Sequence, residues 1–185
     1  MIVIGITGTL GAGKGTIVDY LVQEKGFVHF SVRGFISEEI IRRDMTVNRD
    51  SMVIVANSLR AAHSPSYIVD CLYEEAVLSG KNCIIESIRT PGEVDSLKRK
   101  GNFILIAVDA SPELRYDRIV LRNSETDQIS FTTFQENEKR EMDSQDPNKQ
   151  NLRRCIEMAD VIFRNNTSID DLIQQVSAAL ERFTS

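Results

Sequence analysis

Gly8-Thr9-Leu10-Gly11-Ala12-Gly13-Lys14-Gly15-Thr16 is the stretch whose reading decides the fold. Before it runs Ile2-Val3-Ile4-Gly5-Ile6-Thr7, an apolar segment of strand type. After it comes Ile17-Val18-Asp19-Tyr20-Leu21-Val22, whose apolar residues at 17, 18, 21 and 22 have helical spacing. Strand, glycine-rich loop, lysine, hydroxyl and helix, in that order, are what a phosphate cradle requires. Successive backbone N–H groups wrap an anion, and a helix N-terminus adds about half a positive charge behind them. Gly8, Gly11 and Gly13 allow backbone angles and a close approach that a Cβ forbids. With Ala12 and Gly15 they make the expected seat for ATP. Lys14 is placed to bridge the outer phosphates, and Thr16 has the hydroxyl for Mg²⁺. One position departs from the strict pattern: Gly15 separates the lysine from the threonine.

The chain has 185 residues, a length that suits one domain with a full core. Hydrophobic residues make up 42% and charged residues 26%, an ordinary globular mixture. A net charge of −5 argues against nucleic acid as the main ligand, because such binders carry a basic surface. A local basic pocket inside an acidic shell is compatible with that charge. Cys71, Cys83 and Cys155 are far apart without metal-ligand spacing and read as buried thiols of a reducing compartment. His29 and His63 have no ligand neighbour at motif spacing, which argues against zinc. The N-terminal apolar run has no basic leader, and no segment approaches 18 consecutive apolar residues. Neither a signal peptide nor a membrane span is therefore expected, and the cytoplasm is the default location.

Apolar runs alternate with helical patterns along the rest of the chain. Strands are expected at 27–31, 83–88, 103–108 and 161–164, and helices near 34–44, 49–62, 66–78 and 169–183, with Pro65 in a first-turn position. Five short apolar strands separated by helices imply an α/β fold: a five-stranded parallel sheet with helices on both faces. Right-handed crossovers place the strand C-termini on one edge, where ligands bind. That edge collects the glycine-rich loop, 31–33, 86–89, 109–111 and 165–167. The segment 123–150 is polar and poor in core-forming residues, which predicts mobility.

A second constellation, Glu86-Ser87-Ile88-Arg89-Thr90-Pro91-Gly92-Glu93, follows the central apolar run. A carboxylate at the end of a buried strand beside a phosphate loop serves Mg²⁺, so Glu86 joins Thr16 as a metal candidate. An arginine three residues later can fork onto a phosphate. The plainer reading is a capping carboxylate and a surface ion pair. Arg115, Arg118 and Arg122 recur at i, i+3 and i+7 and share one helical face, where ion pairs with Glu113, Asp117 or Glu125 are the plain alternative.

These motifs resemble the nucleoside monophosphate kinases, adenylate kinase in particular, with features of dephospho-coenzyme A kinases. Gly13-Lys14-Gly15-Thr16 is the loop variant seen in adenylate kinases and their relatives. Glu86-Ser87-Ile88-Arg89-Thr90 looks like that family's Asp-Gly-Phe-Pro-Arg-Thr with one residue fewer. The resemblance implies that Arg89 holds the acceptor phosphate and that Glu93 stands where a glutamine reads adenine. Glutamate lacks the amide donor, so adenine specificity does not carry over. Ala159-Asp160-Val161-Ile162-Phe163-Arg164-Asn165-Asn166 is similar to the last strand and adenine-side loop of dephospho-coenzyme A kinases, which implies Asn165 beside ATP. Ser31-Val32-Arg33-Gly34 keeps the serine that opens the acceptor part in adenylate kinases, but its arginine falls early and the aspartate is missing. The resemblance also implies a P-loop kinase domain over 1–185, with a helical acceptor-binding insertion at 34–80 and a lid at 115–150. Arg118 and Arg122, and less directly Arg140, would supply lid charge to the transferring phosphoryl group.

Acceptor chemistry separates the remaining readings. A phosphate acceptor needs arginine clamps, whereas a hydroxyl acceptor needs a proton acceptor. Dephospho-coenzyme A kinases place an aspartate after the second strand, and no acid stands there in this chain. Arg33, Arg42, Arg43, Arg49, Arg60 and Arg89 suit an anionic acceptor; the plain alternative makes Arg42, Arg43 and Arg49 solvated helix residues, which leaves Arg33 and Arg89 as the preferred candidates. The expectation is Mg²⁺-dependent transfer of the γ-phosphoryl group of ATP to a nucleoside monophosphate or similar small phosphorylated molecule. Lys14, Arg89, Arg118 and Arg122 would act on the reacting groups, and Ser31, Arg33, Arg89 and Glu93 would bind the acceptor. Two alternatives stay open: a hydroxyl-directed kinase of dephospho-coenzyme A type with Glu86 as base, and an ATP-operated switch or assembly factor.

Overall fold

The apolar runs assemble into one sheet in the computed structural model, which describes residues 1–123 and 128–184. Its strands are β1 (Val3–Gly8), β2 (Val28–Ser31), β3 (Cys83–Glu86), β4 (Phe103–Asp109) and β5 (Val161–Arg164). All neighbours pair in parallel, in the order β2-β3-β1-β4-β5. The five-stranded parallel sheet matches the expectation from the sequence. Helices α1 (Lys14–Lys25), α2 (Val32–Arg42), α3 (Arg49–Ala62), α4 (Tyr67–Ser79), α5 (Pro91–Arg99), α6 (Pro112–Arg122), α7 (Phe131–Met142), α8 (Leu152–Glu157) and α9 (Ile169–Thr184) make the connections. None of the described helices is long and apolar enough to cross a membrane.

Strand side chains alternate between faces, and the alternation divides the core in two. Val3, Ile85 and Leu105 point to one layer with Val32, Ile36, Val55, Leu72 and Leu97 from α2 to α5. Ile4, Ile6, Ile84, Ile106 and Val108 point to the other with Ile17, Leu21, Leu172 and Val176 from α1 and α9. β1 is buried along its whole length, as a central parallel strand must be. The loop after it leaves the sheet where the strand order changes direction, between the ends of β3 and β4. Cys83 and Cys155 are buried and Cys71 is partly so; all three are free thiols.

Several differences from the expected elements have local causes. α2 begins at residue 32 because the Ser31 hydroxyl accepts the Gly34 N–H at 3.0 Å, so the helix starts where the strand ends. Pro65 lies before the α4 N-cap, Ser66, outside the first turn. Helix α5 is opened by a reciprocal cap in which Thr90 accepts from the Glu93 N–H and Glu93 accepts from the Thr90 N–H. The polar segment 123–150 carries α7, docked through Phe134, which is 1% exposed. Tyr116 and Phe131 pack against the Phe134 ring, with centroids 5.7 and 6.0 Å away. Of the expected lid, 115–150, residues 124–127 lie outside the described residues.

Candidate functional site

The glycine-rich loop is held from below and left open above. Gly13, with φ of +110°, is the N-cap of α1 and offers no side-chain cap, so the first-turn N–H groups face outward for an anion. A Cβ on Gly13 would stand 2.4 Å from Nδ2 of Asn165. That amide donates to the Ala12 carbonyl at 2.9 Å, bracing the loop from the end of β5. Gly11 packs on α6, where a Cβ would meet the Arg115 carbonyl oxygen at 2.4 Å. The Thr9 hydroxyl donates to Asp109 at 2.6 Å, tying the loop to β4. Lys14 Nζ donates to the carbonyls of Gly8 and Thr9, both at 2.9 Å. Burial pushes the Lys14 ammonium down to about 8, and the nearby Arg89 charge adds to the fall. An anionic ligand at the loop would reverse that shift.

Above the loop lies a cleft of ≈ 630 Å³, a size typical of small-molecule sites. Gly11, Gly13, Lys14, Gly15, Thr16 and Asn165 line one part of it. Glu86 lines the adjoining wall, where the chain leaves β3 through Ser87 in a left-handed conformation, φ +72°. The Ser87 hydroxyl donates to Glu86 Oε1 at 2.6 Å, which fixes the carboxylate at the strand end. A threonine hydroxyl and a carboxylate beside an anion cradle form an oxygen donor set that suits Mg²⁺, which prefers few protein ligands plus phosphate and water oxygens.

The same cleft is lined by Arg33, Arg49, Arg60 and Arg89 and by an apolar floor of Val32, Ile36, Met52, Val53 and Ala56. Arg118 and Arg122 enter from α6. Arg118 Nη2 donates to the Asn165 carbonyl at 3.0 Å, joining α6 to the β5 end. A buried carboxylate organises the arginine wall. Glu141 of α7 accepts from Arg49 through Oε1 and from Arg89 through Oε2, the latter at 2.9 Å. Arg89 also donates to Gln150 at 2.9 Å. Burial alone would raise the Glu141 carboxyl, but the Arg89 and Arg49 guanidiniums outweigh it and hold it below the usual range.

Some residues expected at the site stand elsewhere. Gly8 and Ala12 support the loop from beneath and do not line the cleft. Ser31 is occupied as the α2 cap. Glu93, expected to face the acceptor, is 0% exposed and lies behind the cleft wall. Its Oε1 accepts from Arg60 Nη2 at 2.8 Å and its Oε2 from the Arg89 N–H at 2.8 Å, so both oxygens are committed to structure. Arg42 and Arg43 pair with Glu39 on the outer surface of α2, and Arg140 is an exposed partner of Asp50. Arg115 does not share the role of Arg118. It is buried, bonds the Ala110 carbonyl and Glu138, and ties α6 to α7. Glu141 and Gln150 went unrecognised in the sequence because their partners are 52 and 61 residues away.

Residues 4–144 match a family model described as an AAA domain. The UPF0200 protein of Methanococcus vannielii is 30% identical over 185 residues, covering 98% of this chain and 96% of its own. Among solved structures, shikimate kinase from Aquifex aeolicus superposes with a TM-score of 0.56 at 11% identity, covering 97% of this chain and 96% of that one. Dephospho-CoA kinase from Campylobacter jejuni gives 0.51 at 15%, covering 98% and 96%. These structural likenesses show a P-loop kinase fold.

Proposed function

Because the chain belongs to the AAA-domain family and to the UPF0200 proteins, we propose that its nucleotide-dependent chemistry is phosphoryl transfer from ATP to a small phosphorylated acceptor, most simply a nucleoside monophosphate. One observation carries this reading: the anion cradle and four arginines, Arg33, Arg49, Arg60 and Arg89, line a single cleft together with apolar side chains. Lys14 and the loop amides hold the β- and γ-phosphates. Thr16 and Glu86 would hold Mg²⁺, which would neutralise phosphate charge. Arg33 and Arg89 orient the acceptor phosphate, and Arg49, paired with the same Glu141, keeps Arg89 in register. Arg118 and Arg122 stabilise the charge that spreads over the transferring group. Helices within 34–80 form the acceptor side and 115–150 the lid side. A phosphate acceptor is already anionic near neutral pH, so the cleft needs positioning and positive charge more than a general base.

The test is ADP release measured against a panel of acceptors. Nucleoside monophosphates and other small phosphorylated molecules should accelerate it, and Arg89→Ala should weaken acceptor use more than ATP binding. Acceleration only by an unphosphorylated hydroxyl compound or by dephospho-coenzyme A would assign Glu86 as base and overturn the phosphate-acceptor reading. Release indifferent to every small acceptor, yet dependent on a protein partner, would make the chain a switch.

A further inference from the structure

Arg60 is one of the arginines that line the cleft, and its side chain is 1% exposed. It stands on α3 in line with Val53 and Ala56, at i, i+3 and i+7 on one helical face, and all three residues line the cleft. Nε and Nη2 of Arg60 donate to Glu93 Oε1, at 3.2 and 2.8 Å. The third nitrogen, Nη1, is buried without a hydrogen-bond partner among the described residues. A guanidinium has donors only and keeps its charge at every physiological pH. Its charge is already balanced by Glu93, so the group it awaits is a neutral oxygen more than a second anion. A buried, unpaired donor on a side chain that lines the cleft selects a partner that presents an acceptor with no hydrogen of its own.

We infer that Arg60 reads the acceptor's ring, selecting an oxo-substituted base (a 6-oxopurine or 4-oxopyrimidine) over its amino counterpart. The inference rests on the nucleotide-acceptor reading above and narrows it. The amino group of adenine or cytosine would set donor against donor at Nη1. An oxo group accepts from it, as guanine does from arginine in nucleic-acid readout. The floor residues Met52, Val53 and Ala56 supply the apolar face against which a flat ring lies. Glu93, at the position where a base-reading amide was expected, acts one step back by fixing the guanidinium.

Matched pairs test this: UMP against CMP and IMP against AMP, titrated calorimetrically into the full chain, with ADP release followed in parallel. The oxo member of each pair should bind roughly tenfold more tightly or better. Arg60→Lys keeps the charge opposite Glu93 but removes the free arm, and should bring each ratio to within about twofold. If that variant melts early, R60M/E93Q removes both charges together and takes its place. Equal or tighter binding of the amino members, binding by none of the four, or an undiminished preference in a folded variant would overturn the inference. Oxo-selective binding without ADP release would retain it and overturn phosphoryl transfer; ADP release without oxo preference would do the reverse.

Discussion

At the scale of single residues, two glycines two positions apart should behave oppositely. Gly13 lies at φ +110° against Asn165, whereas Gly15 is inside α1 with no atom within 4 Å of an added Cβ. Gly15→Ala should stabilise the free protein by about 0.4–1 kcal/mol, and Gly13→Ala should destabilise it, both read from denaturant midpoints. Glu93→Ala strips the partner from a fully buried Arg60 and should cost about 3–5 kcal/mol in the same assay. Lys14 carries a pH signature. Its ammonium, pushed down to about 8, is charged below that pH, so the apparent MgATP affinity should fall as pH rises through about 8. A flat affinity profile would contradict the enclosed lysine. The loop residues were readable because their chemistry is local. Thr90-Pro91-Gly92-Glu93 carries an equally local signal, the spacing of a capping box.

At the scale of elements, α7 is the part of the cleft least visible beforehand. Its composition is polar, and what seats it comes from distant parts of the chain: Tyr116 against Phe131 and Phe134, and the ion pairs of Glu138 with Arg115 and of Glu141 with Arg49 and with Arg89. Phe131 and Phe134 at i and i+3, with Tyr116 at a matching position on α6, were the available hint. Long-range ion pairs leave no spacing pattern in a sequence. Phe134→Ala should cost about 3–5 kcal/mol and loosen Glu141 from the arginine wall. Hydrogen exchange across 131–142 should then rise well above that of β1. Equal protection in variant and parent would mean that α7 is seated by other contacts. The expectation for α3, by contrast, coincided with Arg49–Ala62, because its apolar face and its Asn48 cap lie within one stretch of chain.

At the scale of the whole molecule, the parallel sheet was legible from five apolar runs, but the strand order was settled only by tertiary packing. Four of the six arginines proposed for an anionic acceptor, Arg33, Arg49, Arg60 and Arg89, line the cleft; Arg42 and Arg43 turn outward because Glu39 is within one turn of both. The folded chain should also resist acid only while its paired carboxylates stay ionised. Glu141 is held below its ordinary value of 4.5, so its contribution is complete above that pH and is lost as pH falls through the lowered folded value. Urea midpoints between about pH 7 and about pH 3 should therefore drop less steeply for Glu141→Gln than for the parent. Parallel curves would remove Glu141 from the acid response.

The central claim is that the first turn of α1 and the loop before it form a triphosphate seat closed by Lys14. Titration calorimetry of MgATP into the folded parent and into Lys14→Ala tests it most directly. The parent should bind saturably, and the variant, folded to the same melting temperature, should bind at least about tenfold more weakly through loss of a charged phosphate contact. No heat of binding in the parent, or equal affinity in the two proteins, would contradict it.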